Sequence, residues 1–174
     1  MAAVSMSRRS TAGIIFIVAG VLLALAVLLP LVGVAVGGWL VAIAYLAITA
    51  AFAVLGIGAV NATLTKVLLI AAAVGWLLLA LAAFGLALPS VLITIAALVA
   101  GVAGLIGAIV LYVGKEVRNL PAVIFIITTA LGLLFLLPSI GVSIASLATI
   151  IAVLFAAGLI VTGVLFAQKE RGRR

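Results

Sequence analysis

The chain has 174 residues, 70% of them hydrophobic and 6% charged, with nine Lys or Arg against two Glu and a formal net charge of +7. Too little polar surface remains to cover a water-soluble globule. The lack of His, Cys and Asp also removes the usual ligands of zinc, iron and Fe–S sites, and with them thiol and disulfide chemistry.

Hydrocarbon forces every backbone N–H and C=O to find an internal partner, which leaves helices or a closed barrel. Uninterrupted apolar runs of about 20 residues favour helices, since barrel strands are about half as long and alternate with polar residues.

The first predicted span runs from Ala12 to Leu29, after Arg8 and Arg9 and before Pro30. It is longer than the apolar region of a secretory signal, so an uncleaved first span is expected. Ser7-Arg8-Arg9-Ser10 lacks the hydrophobic and lysine positions that follow a twin-arginine pair. The second span, Trp39 to Val60, opens on an aromatic anchor and carries Tyr45 and Thr49 before a polar boundary at Asn61. The third runs from Lys66 to Leu86, with Thr65 placed to cap it and Pro89 beyond its end. Trp76, ten residues past Lys66, falls roughly 15 Å deep. Its indole N–H calls for a carbonyl or a threonine on a neighbouring helix, or it lines a cavity together with Tyr45.

The fourth span runs from Ser90, a candidate cap, to Tyr112, a second interface anchor. Ala96, Ala100, Gly104 and Ala108 form a flat ridge along it, suited to close helix packing inside a bundle or against a second copy. Shorter ridges are Gly20 with Ala24, Ala71 with Gly75, and Ala148, Ala152 and Ala156. Lys115, Glu116 and Arg118 separate the fourth span from the fifth, Leu120 to Leu137, which Asn119 can cap and Pro138 follows. The sixth, Ser143 to Ala167, has Ser143 as its candidate cap and leads into a basic tail of Lys169, Arg171, Arg173 and Arg174 around Glu170.

Reading outward, Arg9 lies 21 residues before Pro30, Lys66 lies 23 before Pro89 and Arg118 lies 20 before Pro138. Each interval is roughly 30 to 35 Å of helix, one hydrocarbon thickness. The prolines are therefore expected to end the odd-numbered spans at the outer side, where the last helical carbonyls already lack donors. The fold expected is all-α: one polytopic membrane domain over residues 1–174, six helices in three tandem hairpins. With six spans all nine basic residues share one side, and the positive-inside rule places both termini in the cytoplasm of an inner (plasma) membrane protein. The charge then belongs to topology and to contact of the tail with anionic lipid, not to nucleic acid, for which no folded surface of basic and reading residues exists.

No catalytic, cofactor or metal site is expected. Glu116 and Glu170 lie on separate basic segments and cannot act as a carboxylate pair. Ser139, Ser143 and Ser146 have no base in reach, since the lysines are predicted at the opposite end of the spans. No span carries a charge near its middle, against a proton relay, voltage sensor or coupled ion site. The interior polar residues are Tyr45, Thr49, Thr94, Thr128, Thr129, Thr149 and Thr162, and the threonines can bond the i−4 carbonyl of their own helix.

Three segments carry a family likeness: Gly20 through Pro30 (GVLLALAVLLP), Gly75 through Pro89 (GWLLLALAAFGLALP) and Gly132 through Pro138 (GLLFLLP). A glycine, an aliphatic run to a proline and a small-residue span, repeated three times, resembles the HdeD-like family of small bacterial inner-membrane proteins. That resemblance implies a six-helix inner-membrane protein linked to acid resistance and stress; the absence of catalytic groups and the small-residue ridges point to action without catalysis, through packing with itself, lipid or a partner. The alternative is a transport component, a permease or one resembling the six-helix substrate-binding subunits of energy-coupling-factor transporters.

Overall fold

The computed structural model describes residues 2–35, 37–59, 63–114, 119–140 and 147–171, and the side chains of these apart from 2–9, 58, 59, 119, 139, 140 and 168–171. Among them there is no strand. In chain order come α1 (Ala2–Leu31), α2 (Gly38–Val54) with a π turn (Leu55–Ala59), α3 (Thr63–Ala83), α4 (Ser90–Leu98), a second π turn (Val99–Ala103), α5 (Gly104–Val113), α6 (Asn119–Leu136) with a 3-10 turn (Leu137–Ile140), and α7 (Ala148–Arg171). The second π turn joins α4 and α5 into one rod, Ser90–Val113.

Five segments are long and apolar enough to cross a membrane: Ser10–Leu31, Gly38–Ile57, Thr63–Ala83, Ser90–Val113 and Ala148–Ala167. The predicted fifth span, Leu120 to Leu137, corresponds to an apolar helix of Leu120–Leu136, one residue shorter than expected and shorter than the other five segments. Pro138 accounts for the stop: it offers no N–H for a further i−4 bond, and the chain tightens into the 3-10 turn. Helix α7 starts at Ala148, and the expected cap Ser143 lies outside the described residues.

The helix stops differ from those expected. Helix α1 runs one residue beyond Pro30, which sits in its last turn. The turn-maker is Gly33, at φ +85°, where Gly33 N–H donates to the Pro30 carbonyl (3.2 Å) and Val34 N–H to that of Leu29 (3.0 Å). Gly85, at φ +102°, repeats the arrangement after α3, with Gly85 N–H to Ala82 O at 3.0 Å and Leu86 N–H to Leu81 O at 3.1 Å. Both are Schellman caps, which satisfy terminal carbonyls through a left-handed residue that only glycine adopts without penalty. Pro89 instead precedes α4 as its N-cap, with no side-chain cap bond, so Ser90 does not cap; its carbonyl accepts from Thr94 Oγ1 at 3.0 Å. Because nothing lies within 4 Å of a Cβ built on Gly33 or Gly85, Gly85→Ala tests backbone handedness alone. A loss of about 1 to 2 kcal/mol is expected in thermal unfolding in detergent, and an unchanged midpoint would refute the assignment.

The helices close into a ring. Helix α1 packs on α2, α2 on α3, α3 on the rod, the rod on α6, α6 on α7, and α7 back on α1, the last being the broadest interface. Small residues set the closest approaches. A Cβ on Gly13 would lie 2.6 Å from the Gly163 carbonyl oxygen, and one on Gly20 would lie 2.7 Å from that of Ala156. Gly13 and Gly20 are seven residues apart, as are Ala156 and Gly163 in the reverse sense, so α1 and α7 form an antiparallel seam of backbone on backbone. In the α3–rod pair, a Cβ on Gly75 would meet Ala96 O and Ala100 N at 2.7 Å each. Such approach multiplies weak dispersion contacts, the main source of cohesion where the surroundings are as apolar as the interior.

Candidate functional site

Two layers of aromatic rings fill the middle of the ring of helices. In the first, Phe125 of α6 meets Phe16 of α1, Phe52 of α2 and Phe166 of α7 at centroid distances of 5.7, 5.9 and 5.5 Å. Phe16 also meets Phe52 edge-on at 5.6 Å and Phe166 at 6.2 Å. The second layer is a closed circuit of four rings: Tyr45 to Trp76 (5.3 Å), Trp76 stacked on Phe155 (5.8 Å, 17°), Phe155 to Phe135 (5.4 Å) and Phe135 to Tyr45 (6.2 Å). Aromatic pairs in these geometries contribute about 0.5 to 1.5 kcal/mol each beyond simple burial.

Between the layers lies a cavity of about 10 Å³, room for one water-sized molecule. Phe52 and Phe125 wall it on one side, Trp76 and Phe155 on the other. Ala100 and Gly101 of the mid-rod π turn, Thr128, Thr129 and Gly132 of α6, and Leu159 of α7 complete the walls. Trp76 thus lines the cavity, while Tyr45 reaches it only through its edge contact with Trp76.

The threonines are turned to the backbone. Thr49 donates to Tyr45 O and Thr128 to Ile124 O, both at 2.9 Å and both i−4, while Thr129 bonds the i−3 carbonyl of Ile126 at 2.9 Å. Thr128 Oγ1 also lies 2.9 Å from Thr162 Oγ1. This hydroxyl pair ties α6 to α7, and either oxygen can donate, Thr162 doing so whenever the Thr128 proton is on the Ile124 carbonyl. Gly158 makes room for this pair, because a Cβ there would stand 2.7 Å from Thr128 Oγ1.

Thr65 breaks the pattern. It is fully buried in the first turn of α3, which begins at Thr63, and its hydroxyl has no hydrogen-bond partner among the described residues. It therefore does not cap the helix as its position suggested. Removing an unsatisfied buried hydroxyl while keeping the shape relieves a desolvation cost, so Thr65→Val is expected to stabilise by about 1 kcal/mol. A lower unfolding midpoint would show that Thr65 has a partner.

Ala96, Ala100, Gly104 and Ala108 are all buried along the rod. Ala96 and Ala100 meet Gly75, and a Cβ on Gly104 would rest at 3.6 Å from Phe52 and 3.8 Å from Ala72. Trp39 is exposed at the start of α2 and Tyr112 in the last turn of α5. Of the basic residues, Lys66 is half-buried in the first turn of α3; Arg8, Arg9, Lys169 and Arg171 belong to α1 and α7 by backbone; Lys115, Arg118, Arg173 and Arg174 lie outside the described residues. Among the described residues no group of three His, Cys, Asp or Glu side chains comes together.

No family model, curated protein or solved structure matches the chain. The aromatic layers and the glycine contacts therefore carry the functional reading.

Proposed function

We propose that the chain is a non-catalytic, six-span inner-membrane protein of three tandem hairpins with both termini in the cytoplasm, acting through its packing with lipid, with itself or with a partner. The observation that carries this reading is the filled centre: two aromatic layers leave about 10 Å³ between them, with no charged group in the walls. An enzyme or ion-coupled carrier needs ionisable groups where its chemistry happens. The register of α1 against α7 supports the topology, since Gly13 opposite Gly163 brings the basic start of α1 and the basic end of α7 to one end of the bundle. The HdeD-like segments add the theme of acid and membrane stress.

A second reading, a transport component, is favoured by one observation: the π turn Val99–Ala103 faces the cavity at mid-rod, and π turns mark functional irregularities in helices. A deletion strain separates the two. Sensitivity to acid or membrane stress with unaltered solute uptake is the expected result; loss of uptake of one solute without a stress phenotype would give the second reading the place of the first. For topology, reporters fused to either end should be active only in the cytoplasm, and opposite sidedness would refute the six-span arrangement.

A further inference from the structure

Two turns lie together at the end of the bundle away from Lys66, joined where a Cβ on Gly38 would sit 3.2 Å from the Ala83 carbonyl oxygen. From Leu31 to Leu40 the sequence has no polar side-chain atom but the Trp39 indole nitrogen, and from Ala82 to Pro89 it has none. These residues do not fold inward: Val32 is 75% exposed, Leu31 64%, Leu86 53% and Phe84 50%. Loops that stand in water normally carry polar and turn-forming side chains, and a cluster of exposed large apolar residues marks a surface covered by something else.

The backbone of the same turns points to what covers it. Val32, Gly33 and Val34 N–H donate to Leu29, Pro30 and Leu29 carbonyls, and Phe84, Gly85 and Leu86 N–H to those of Ala80, Ala82 and Leu81. Turn donors are usually left to water. Here the two Schellman caps satisfy the donors of Val32 to Val34 and of Phe84 to Leu86 internally, beside the most exposed apolar side chains, as backbone must be in a medium without hydrogen-bonding solvent. Trp39, 57% exposed beside the turns, has the amphipathic ring suited to the boundary between acyl chains and headgroups.

We propose that these two turns are a lipid-docking surface, immersed in the acyl and ester region of the facing leaflet instead of projecting into water. The proposal rests on the membrane reading above but not on which side the turns face. A second copy or a partner protein would be the other ways to cover such a surface.

The chain has no cysteine, so single-cysteine variants report one position each. Val34→Cys and Leu86→Cys, purified and reconstituted in phosphatidylglycerol–phosphatidylethanolamine vesicles made permeable to reagent on both faces, are treated with a charged maleimide and with an uncharged one. A cysteine appended after Arg174 is the water-exposed standard. A charged reagent is excluded from the acyl region while an uncharged one enters it, and desolvation also lowers the thiolate fraction, so the charged reagent should react with the turn positions at least about tenfold more slowly than with the standard, a deficit larger than that of the uncharged one. The uncharged reagent should reach them, and the protection should persist when protein is diluted in lipid. Rates equal to the standard overturn the proposal, and protection that vanishes on dilution overturns it in favour of a second copy. Applying the charged reagent to sealed vesicles of known orientation asks separately on which side the C-terminal cysteine lies; failure there corrects the topology and leaves the turn result standing.

Discussion

Gly163→Val is expected to lower stability by about 3 kcal/mol, the upper part of the range for forcing extra methyl groups into a packed site. A Cβ at Gly163 would strike the Gly13 carbonyl and stand 2.8 Å from Ile17 N. These are backbone atoms of α1, so no rotamer change relieves the contact and the two helices must separate. On helix propensity alone, replacing a helical glycine with alanine would stabilise by about 1 kcal/mol. Gly163→Ala therefore tests the sign: packing at this seam predicts a lower unfolding midpoint in detergent, propensity a higher one. A gain in stability would mean that α1 and α7 are not in backbone contact at this level.

Phe125→Ala should be comparably severe, about 3 to 5 kcal/mol. Phe125 is the hub of the first aromatic layer, touching Phe16, Phe52 and Phe166, and it also walls the small cavity. Its removal breaks three ring contacts and opens a void continuous with that cavity. Lipid surroundings do not soften the loss, because the unmade dispersion contacts have no replacement inside the bundle. The enlarged void is apolar and should take up benzene, recovering part of the stability. Phe84→Ala, at an exposed turn position, is the control and should change little. Equal effects at the two positions, or no benzene-dependent recovery at Phe125→Ala, would mean that the layer is not a packed core.

Much of the architecture was legible from where polar residues are absent. Runs such as Ala12 to Leu29 admit helices only, and the apolar helices fall within a few residues of the predicted spans, Leu120–Leu136 to within one; the sixth, expected from Ser143, starts at Ala148. The ends were harder to place. The prolines suggest the stops, yet Gly33 and Gly85 make the turns, and the informative pattern is a glycine two residues past the last helical position: Leu31-Val32-Gly33 and Ala83-Phe84-Gly85. Four-residue spacing marks the rod's ridge and picks out Gly20 and Ala156, but the α1–α7 seam follows a seven-residue spacing of small residues, Gly13 to Gly20 and Ala156 to Gly163, so its partners Gly13 and Gly163 carry no such mark. Nor could the aromatic layers be foreseen. Phe16, Phe52, Phe125 and Phe166 come together through the closure of the ring, which depends on contacts distant in sequence and leaves no local periodicity. Trp76 and Tyr45 were singled out for polar atoms in an apolar setting, and both joined the second layer as rings.

The ring of helices has a consequence for synthesis. Its broadest interface pairs α1 with α7, the two described helices farthest apart in the sequence, so while the ribosome is adding α2 to α6, the glycine face of α1 waits without its mate. A chain halted before α7 would leave that face open to lipid, to a neighbouring nascent protein or to a membrane protease. The α1–α7 seam thus closes in one late event, and chains stalled before α7 should be the form that quality control removes.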